Sequence, residues 1–463
     1  MKIILLYLTM AVFSLAAYSQ IHSADWWYFG FNAGLHFTGG TPVAVSDGAM
    51  YTWEGCSAIS DTSGNLMFYT DGRKIWNYEH NIMPNGSGLF GDSSATQSGM
   101  IVQLPGEEKL YYLFTVDEVG GSDGMRGNII NMGLDSGRGD VIVKNYPLFS
   151  PVSEKISATY HSTQNGSWIL VHEWGSNAYV SYFLGTNGLD TVPVISNVGV
   201  VHSGNEMNSV GYMKFSPDGS KLATVLTYNG TIEIFDFDAS TGNVSNAQLL
   251  PTTYQYVYGL EFSPDNTKLY VSNFITKKIM QFDLSSGIAA TINNSMTVVA
   301  SSSSVKYRGL QLGPDYRIYV STQDLHYLGV INDPNNSGSA CNYVEQGVYL
   351  GSGFTAQYGL PNFMPSYFGP PHTIGTTTPE VEEGSVYLYP DPAFNELVVT
   401  VPFSETDDDQ VLLVFNLIGE KVLQTSFTGK ATIDVSGIRS GVYVLQVKNC
   451  KTGKVSVTKF VKN

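Results

Sequence analysis

Gly211-Tyr-Met-Lys-Phe-Ser-Pro-Asp-Gly-Ser-Lys-Leu-Ala, Gly259-Leu-Glu-Phe-Ser-Pro-Asp-Asn-Thr-Lys-Leu-Tyr-Val and Gly309-Leu-Gln-Leu-Gly-Pro-Asp-Tyr-Arg-Ile-Tyr-Val are three copies of one pattern. Alternating apolar residues make a half-buried strand, the Pro-Asp pair forces a tight turn, and a β-branched or aromatic run returns. Two copies continue into a third strand, Ile232-Glu-Ile-Phe-Asp236 and Ile279-Met-Gln-Phe-Asp283, whose Asp residues stand about 47 apart. Weaker copies begin at Gly55, Gly99, Ser157 and Gly359, which brings the repeat starts to seven. Repetition at this spacing means a propeller or a solenoid.

The last copy, Tyr358-Gly-Leu-Pro-Asn-Phe, has no returning strand, whereas Asp25-Trp-Trp-Tyr-Phe-Gly-Phe-Asn-Ala-Gly-Leu-His-Phe matches the second and third strands of a repeat. Pairing residues 25–50 with 359–368 would close a ring and cover the open sheet edges. The expectation is an all-β chain: a seven-bladed β-propeller over residues 21–368, with eight blades as the main counting error, then a small Ig-like β-sandwich.

Composition agrees. Only 14% of the 463 residues are charged, against 48 Gly, 29 Tyr and 23 Phe, which suits tight turns and a large aromatic core. Acidic residues outnumber basic ones 40 to 24, and the surplus lies entirely before Val386. That sign disfavours nonspecific binding to nucleic acid or an anionic membrane.

Residues 1–20 read as a secretory signal: Lys2, an apolar run from Ile3 to Ala17, and small residues at Ala17 and Ser19. The run is short for a spanning helix, and no other stretch matches it, so no transmembrane segment is expected in the mature chain. Cys56, Cys341 and Cys450 are too few for a disulfide scaffold. Cys56 falls on an inner strand and Cys341 on an outer one, so free buried thiols are expected rather than a bridge.

Gly369–Ser385 is rich in Pro, Thr, Gly and Glu and reads as a linker. Beyond it lie seven short strand patterns: Val386–Tyr389, Glu396–Val401, Val411–Leu417, Glu420–Phe427, Ala431–Val435, Gly441–Val447 and Lys454–Val461. Leu388-Tyr-Pro-Asp-Pro-Ala, Val414-Phe-Asn-Leu-Ile-Gly-Glu-Lys-Val, Ile433-Asp-Val-Ser-Gly-Ile-Arg-Ser-Gly-Val-Tyr and Lys454-Val-Ser-Val-Thr-Lys-Phe-Val-Lys follow in order. Together, residues 386–463 resemble the C-terminal sorting domain of type IX secretion cargo in Bacteroidota. Pro390, Pro392, Gly419, Gly441, Lys459 and Lys462 carry the sorting-signal pattern; Asp391 departs from it, since the family usually has Asn between the prolines. The resemblance implies handling by the type IX secretion machinery, export across the outer membrane, and often removal of the tail with anchoring to surface polysaccharide. The cut would fall in or near Gly369–Ser385.

Trp27-Tyr-Phe-Gly-Phe-Asn-Ala-Gly-Leu, Glu54-Gly-Cys-Ser-Ala-Ile-Ser-Asp, Phe68-Tyr-Thr-Asp-Gly and Met83-Pro-Asn-Gly-Ser-Gly-Leu are similar to the N-terminal propeller-like region of Bacteroidota surface proteins, many gliding-motility-associated. That family implies an architecture and a cellular setting rather than a reaction.

Catalytic motifs are weak. Asp218, Asp265 and Asp315 recur because Asp caps a Pro-containing turn, and Asp236 and Asp283 each end a strand. Asp236-Phe-Asp-Ala-Ser-Thr-Gly242 fails as a calcium loop, with its glycine one place late and Ala247 in the position of the bidentate Glu. Gly91-Asp-Ser lacks an esterase's partner motif, and no Gly-x-Ser-x-Gly elbow or phosphate loop occurs. No catalytic residue, metal or cofactor is therefore assigned. His161 and His172 flank the Asn165-Gly166 turn and, with Glu206, form the best polar candidate cluster. Trp27, Trp76 and Trp168 are expected to pack between blades; Trp53 and Trp174, near turns, are candidates for exposed ligand contacts.

The preferred functional reading is an exported surface module that binds glycan or protein for adhesion. The alternatives are an extracellular polysaccharide hydrolase or lyase, needing carboxylates or histidines clustered at the channel mouth, and a structural subunit of a motility or secretion apparatus.

Overall fold

The computed structural model describes residues 22–39, 41–250, 254–369, 386–400, 409–416, 421–451 and 455–463. The leader reading, Gly419 and nearly all of the linker lie outside these residues. Seven antiparallel sheets follow one another along residues 26–45, 57–87, 99–149, 152–197, 213–250, 257–301 and 307–349. Each is built from consecutive strands, and all but the three-stranded first have four or more. Among the described residues Ala289–Asn294 is the single α-helix.

The repeat pattern acts locally as its chemistry requires. Asp218 accepts from Ser216 Oγ (2.6 Å) and from the Ser220 backbone N–H (3.0 Å), and Asp265 does the same with Ser263 and Thr267. These carboxylates cap hairpins. Where the second strand begins, a lysine faces an Asp of the third strand: Lys221 pairs with Asp236, and Lys268 with Asp283 at 3.0 Å. Asp283 ends its strand as expected, whereas the strand holding Asp236 runs on to Asp238 because its pairing with the fourth strand continues to Asn243.

The first strand of each sheet packs on the first strand of the next, from Ser57–Ser60 through Gly99–Gln103, Val152–Tyr160, Met213–Phe215 and Val257–Phe262 to Tyr307–Leu312. Glycine makes this approach possible. A Cβ on Gly55 would stand 2.2 Å from the Ser98 nitrogen, on Gly259 2.3 Å from the Arg308 oxygen, and on Gly309 2.9 Å from the Tyr358 oxygen. Backbone hydrogen bonds then step between units, from Gly55 to Ala95, Gln97 to Glu154, Tyr212 to Tyr258 and Gly309 to Tyr358.

The two ends of this body meet. A Cβ on Gly359 would lie 2.1 Å from the Glu54 oxygen, and Tyr358 N–H donates to Trp53 O (2.8 Å). Asn362 N–H donates to Cys56 O, and Phe31 bridges to Thr355. Trp27, fully buried, touches Phe363 and, from the seventh sheet, Tyr319. Asn362 adds a buried side-chain clasp, donating to Gly99 O and Ile156 O.

Cys56 and Cys341 are buried and free, and Cys450 is exposed and free. Trp27, Trp76 and Trp168 are buried, as expected of packing aromatics.

The tail shows all seven expected strands, as one sheet of three and one of four over a shared core that includes Leu397, Leu412, Val414, Leu445 and Phe460. Its Pro-Asp-Pro segment clasps the last strand. Asp391 Oδ1 accepts from Val461 N–H (2.7 Å), Ala393 N–H donates to Val461 O, and Asn463 N–H donates to Ala393 O. Lys462 is buried and Lys459 exposed. The tail also touches the third sheet region: Tyr389 OH donates to Glu107 (3.1 Å), and Lys430 pairs with the same carboxylate (3.0 Å).

Gly359→Ala is expected to lower the urea unfolding midpoint, at a cost of about 1–3 kcal/mol from overpacking. Gly359 has no positive φ, so the loss would report the clash with the Glu54–Gly55 backbone.

Candidate ligand face at the start of the first strands

Four residues that each precede a repeat glycine converge: Tyr258 and Arg308 near the start of the first strands Val257–Phe262 and Tyr307–Leu312, Glu54 just before Ser57–Ser60, and Tyr358 beyond the seventh sheet. Tyr258 OH donates to Glu54 Oε2 (3.1 Å), and the Arg308 guanidinium sits 5.4 Å from the Tyr258 ring centre and 4.0 Å from that of Tyr358. Phe274 closes the other side of Arg308 at 3.8 Å. Both Nε and Nη2 of Arg308 donate to Gln323 Oε1.

Register shifts aim these side chains. The ladder slips between Val152 and Ile156, between Val257 and Leu260, and between Tyr307 and Leu310. A bulge turns successive residues out of strict alternation. It is these irregular starts that supply Glu154 and Lys155, Tyr258, and Arg308.

Glu154 is buried, accepting from Thr96 N–H and Oγ1 (both 2.9 Å) and from Val119 N–H (2.8 Å). Lys155 Nζ is held by the carbonyls of Ser209 (2.5 Å) and Val210 (2.9 Å). Burial pushes both carboxyls up, Glu54 further because Glu154 is a neighbouring like charge, although Tyr258, Arg308 and Thr96 pull it back. Burial pulls the Lys155 ammonium down to about 7 despite Glu154. Two buried carboxyls that feel each other's charge favour the protonated form over carrying two charges.

Aromatic surface borders this cluster. Phe31 and Tyr51 stack at 3.9 Å, Trp53 meets Phe31 edge-on at 4.8 Å, and Trp53 lies 6.3 Å from Tyr358. Tyr51 is 55% exposed and Trp53 46%. Trp53 thus matches its expected exposure. Trp174 is half-exposed and packs on Gly120, where a Cβ would meet the indole at 2.4 Å.

The three remaining sequence candidates are not brought together. His161, just beyond the Val152–Tyr160 strand, stacks on Trp168, and its Nδ1 accepts from Thr163 and Gln164 N–H. His172 lies at the far end of the returning strand Gly166–Glu173, so the hairpin holds the two histidines apart. Glu206 is exposed in the short helix Glu206–Asn208 and bonds to neither among the described residues. The partner of His172 is instead His202, stacked on it at 3.4 Å.

Both rings are buried, and none of their four nitrogens has a well-formed hydrogen bond among the described residues. Burial pulls His172 down to about 3, helped by Lys155, and pulls His202 well down too. Tyr179 packs edge-on against His172, and beyond it burial raises Glu233 to about 7. No group of three metal-ligating side chains occurs among the described residues.

Sequence reasoning missed Glu54, Tyr258, Arg308 and Tyr358, yet a signal existed. Each immediately precedes a repeat glycine. Glu154 and His202 carry no such mark.

Comparison with known proteins adds the address. Residues 387–463 match the secretion system C-terminal sorting domain, so the tail is a sorting domain of type IX secretion cargo. The protein is secreted across the outer membrane to the cell surface or extracellular space. Among the described residues no helix is long and apolar enough to cross a membrane. No curated protein matches the chain.

Similar solved structures include PorZ, a surface component of the type IX secretion system of Porphyromonas gingivalis, at 12% identity and TM-score 0.37, covering 93% of this chain and 62% of that one. A proposed 6-phosphogluconolactonase from Bacteroides uniformis shows 12% identity and TM-score 0.44, with 71% and 98% covered. The extracellular domain of a proposed one-component system from B. thetaiotaomicron shows 12% and 0.38, with 95% and 62% covered. This chain therefore spans less than two thirds of the first and third.

The buried groups set opposite pH limbs. A histidine held below its unfolded value loses stability as pH falls through 6.5, whereas a raised carboxyl loses it as pH rises toward its folded value. Relative to wild type, His172→Phe should gain stability on going from pH 7 to pH 5, by about 2 kcal/mol. Glu233→Gln should instead gain between pH 5 and pH 8. Chemical denaturation across that range checks both signs.

Proposed function

We propose that residues 21–368 form a seven-bladed β-propeller closed by pairing residues 25–50 with 359–368, and that it serves outside the cell as a glycan-binding adhesion module. The leader over 1–20, the linker over 369–385 and the Ig-like sorting domain over 386–463 complete the organisation. The backbone contacts of Gly359 with Glu54, and of Phe31 with Thr355, support the closure.

The observation that carries the binding reading is the exposed pair Tyr51 and Trp53, both packed on the half-buried Phe31, beside Arg308 and Tyr358. Flat rings with one open face suit stacking on sugar rings, and a rigid ring of sheets can present them without any catalytic constellation.

A second reading, a polysaccharide hydrolase or lyase, is favoured by one observation: the buried carboxyl of Glu54, bonded to Tyr258 near Arg308, feels the charge of a second buried carboxyl, Glu154. Neighbouring buried carboxyls raised above their usual range are suited to acid–base chemistry. Release of new reducing ends or unsaturated sugars, abolished by Glu54→Gln and by Glu154→Gln, would favour it over binding alone.

Glycan arrays probed with the mature chain should show binding that Trp53→Ala weakens by about tenfold or more, with an unchanged melting curve. Deletion of residues 386–463 should leave the protein in the periplasm; unchanged surface display of that variant would contradict the sorting role.

A further inference from the structure

Arg308 is 7% exposed and its guanidinium is sandwiched between Phe274 and Tyr358. Buried guanidinium groups are ordinarily matched to a carboxylate, because an unmatched buried charge is costly. Among the described residues no carboxylate oxygen comes within ion-pair distance of Arg308; its polar partner is the neutral amide oxygen of Gln323. Two acids act on it from further away. One is Glu54, whose carboxyl is committed to the Tyr258 hydroxyl; the other is Asp324, which accepts from Gln323 Nε2.

The sandwich fixes the plane of the guanidinium, and Gln323 occupies only its Nε and Nη2 donors. The Nη1 edge is left for a further acceptor, and a planar carboxylate is the group that best matches a guanidinium edge. Tyr358 lies between this cation and Trp53, with the Phe31–Tyr51 stack beyond. A cation fixed next to flat, exposed rings is suited to a ligand with a carboxylate attached directly to a ring.

We infer that this face recognises a uronic-acid unit of an acidic polysaccharide, Arg308 holding the sugar carboxylate while Trp53 and Tyr51 stack against neighbouring sugar rings. The assignment rests on the glycan-binding reading and narrows it to an acidic sugar. The excess of acidic residues does not oppose it: repulsion between distant surface charges is screened beyond about 10 Å. Nearer the site, burial keeps the Glu54 and Glu154 carboxyls protonated to higher pH than usual.

The test uses the full mature chain and titration calorimetry with three probes: a tetragalacturonate, its carboxyl-reduced neutral counterpart, and a tetra-aspartate peptide. Wild type should bind the tetragalacturonate about tenfold or more tightly than the neutral sugar, with the peptide weaker still. Arg308→Gln should remove that preference and leave neutral-sugar binding in place. Arg308→Lys, which keeps the charge but not the flat fork, should retain part of it. Trp53→Ala should weaken both sugars alike.

Equal binding of acidic and neutral sugars by wild type would overturn the role of Arg308 while leaving glycan binding intact. Binding of neither sugar would overturn the glycan reading itself. Equal or tighter binding of the peptide would overturn the choice of a sugar as the carrier of the carboxylate. If Arg308→Gln melts early, the wild-type preference and the Arg308→Lys variant still decide the matter.

Discussion

Backbone can approach backbone at the first strands only where no side chain intervenes, and the rest of the body depends on that contact. Gly55, Gly259, Gly309 and Gly359 each stand where a Cβ would collide with the neighbouring unit. The close approach lets hydrogen bonds run between units as well as within sheets, and buried aromatic side chains pack between neighbouring sheets. Trp27, Tyr69, Tyr270 and Tyr319 are among the buried aromatics. The glycine-rich and aromatic composition follows from this geometry rather than from any ligand.

The same constraint builds the candidate site. A strand squeezed at a glycine is irregular where it enters the sheet, and the register slips there expose the preceding residue toward the neighbouring first strands. Tyr258 and Arg308 are both placed this way. Burial then does the electrostatic work: it raises Glu54, Glu154 and Glu233 and lowers Lys155, His172 and His202, since charge is hard to keep away from water.

Legibility in the sequence followed the range of the interactions. The Pro-Asp turns, the strand end at Asp283 and the seven tail strands were readable, because each is set by residues a few positions apart. The exposure of Trp53 was readable from its place near a turn. His161 and His172 do not meet: proximity to one turn does not say which side of the hairpin a ring reaches, and five residues of extended strand, Ser167 to Val171, separate His172 from that turn. His202 was invisible as a partner, since it comes from a connection between sheets. Glu154 lies in a repeat where Ser157 replaces the glycine, so the repeat pattern did not mark it.

The sequence by itself determined the repeating hairpin, the all-β class, the tail and, through the tail, the cellular address. Periodicity, turn chemistry and a contiguous sorting domain are local properties and survive being read along a line. Only the tertiary structure decided that Glu54, Glu154, Tyr258, Arg308 and Tyr358 share one site and that Arg308 lies between two rings without a carboxylate within ion-pair distance among the described residues. Those contacts join residues from opposite ends of the body. They exist because glycine contacts bring successive first strands together, a relation that no stretch of one repeat contains.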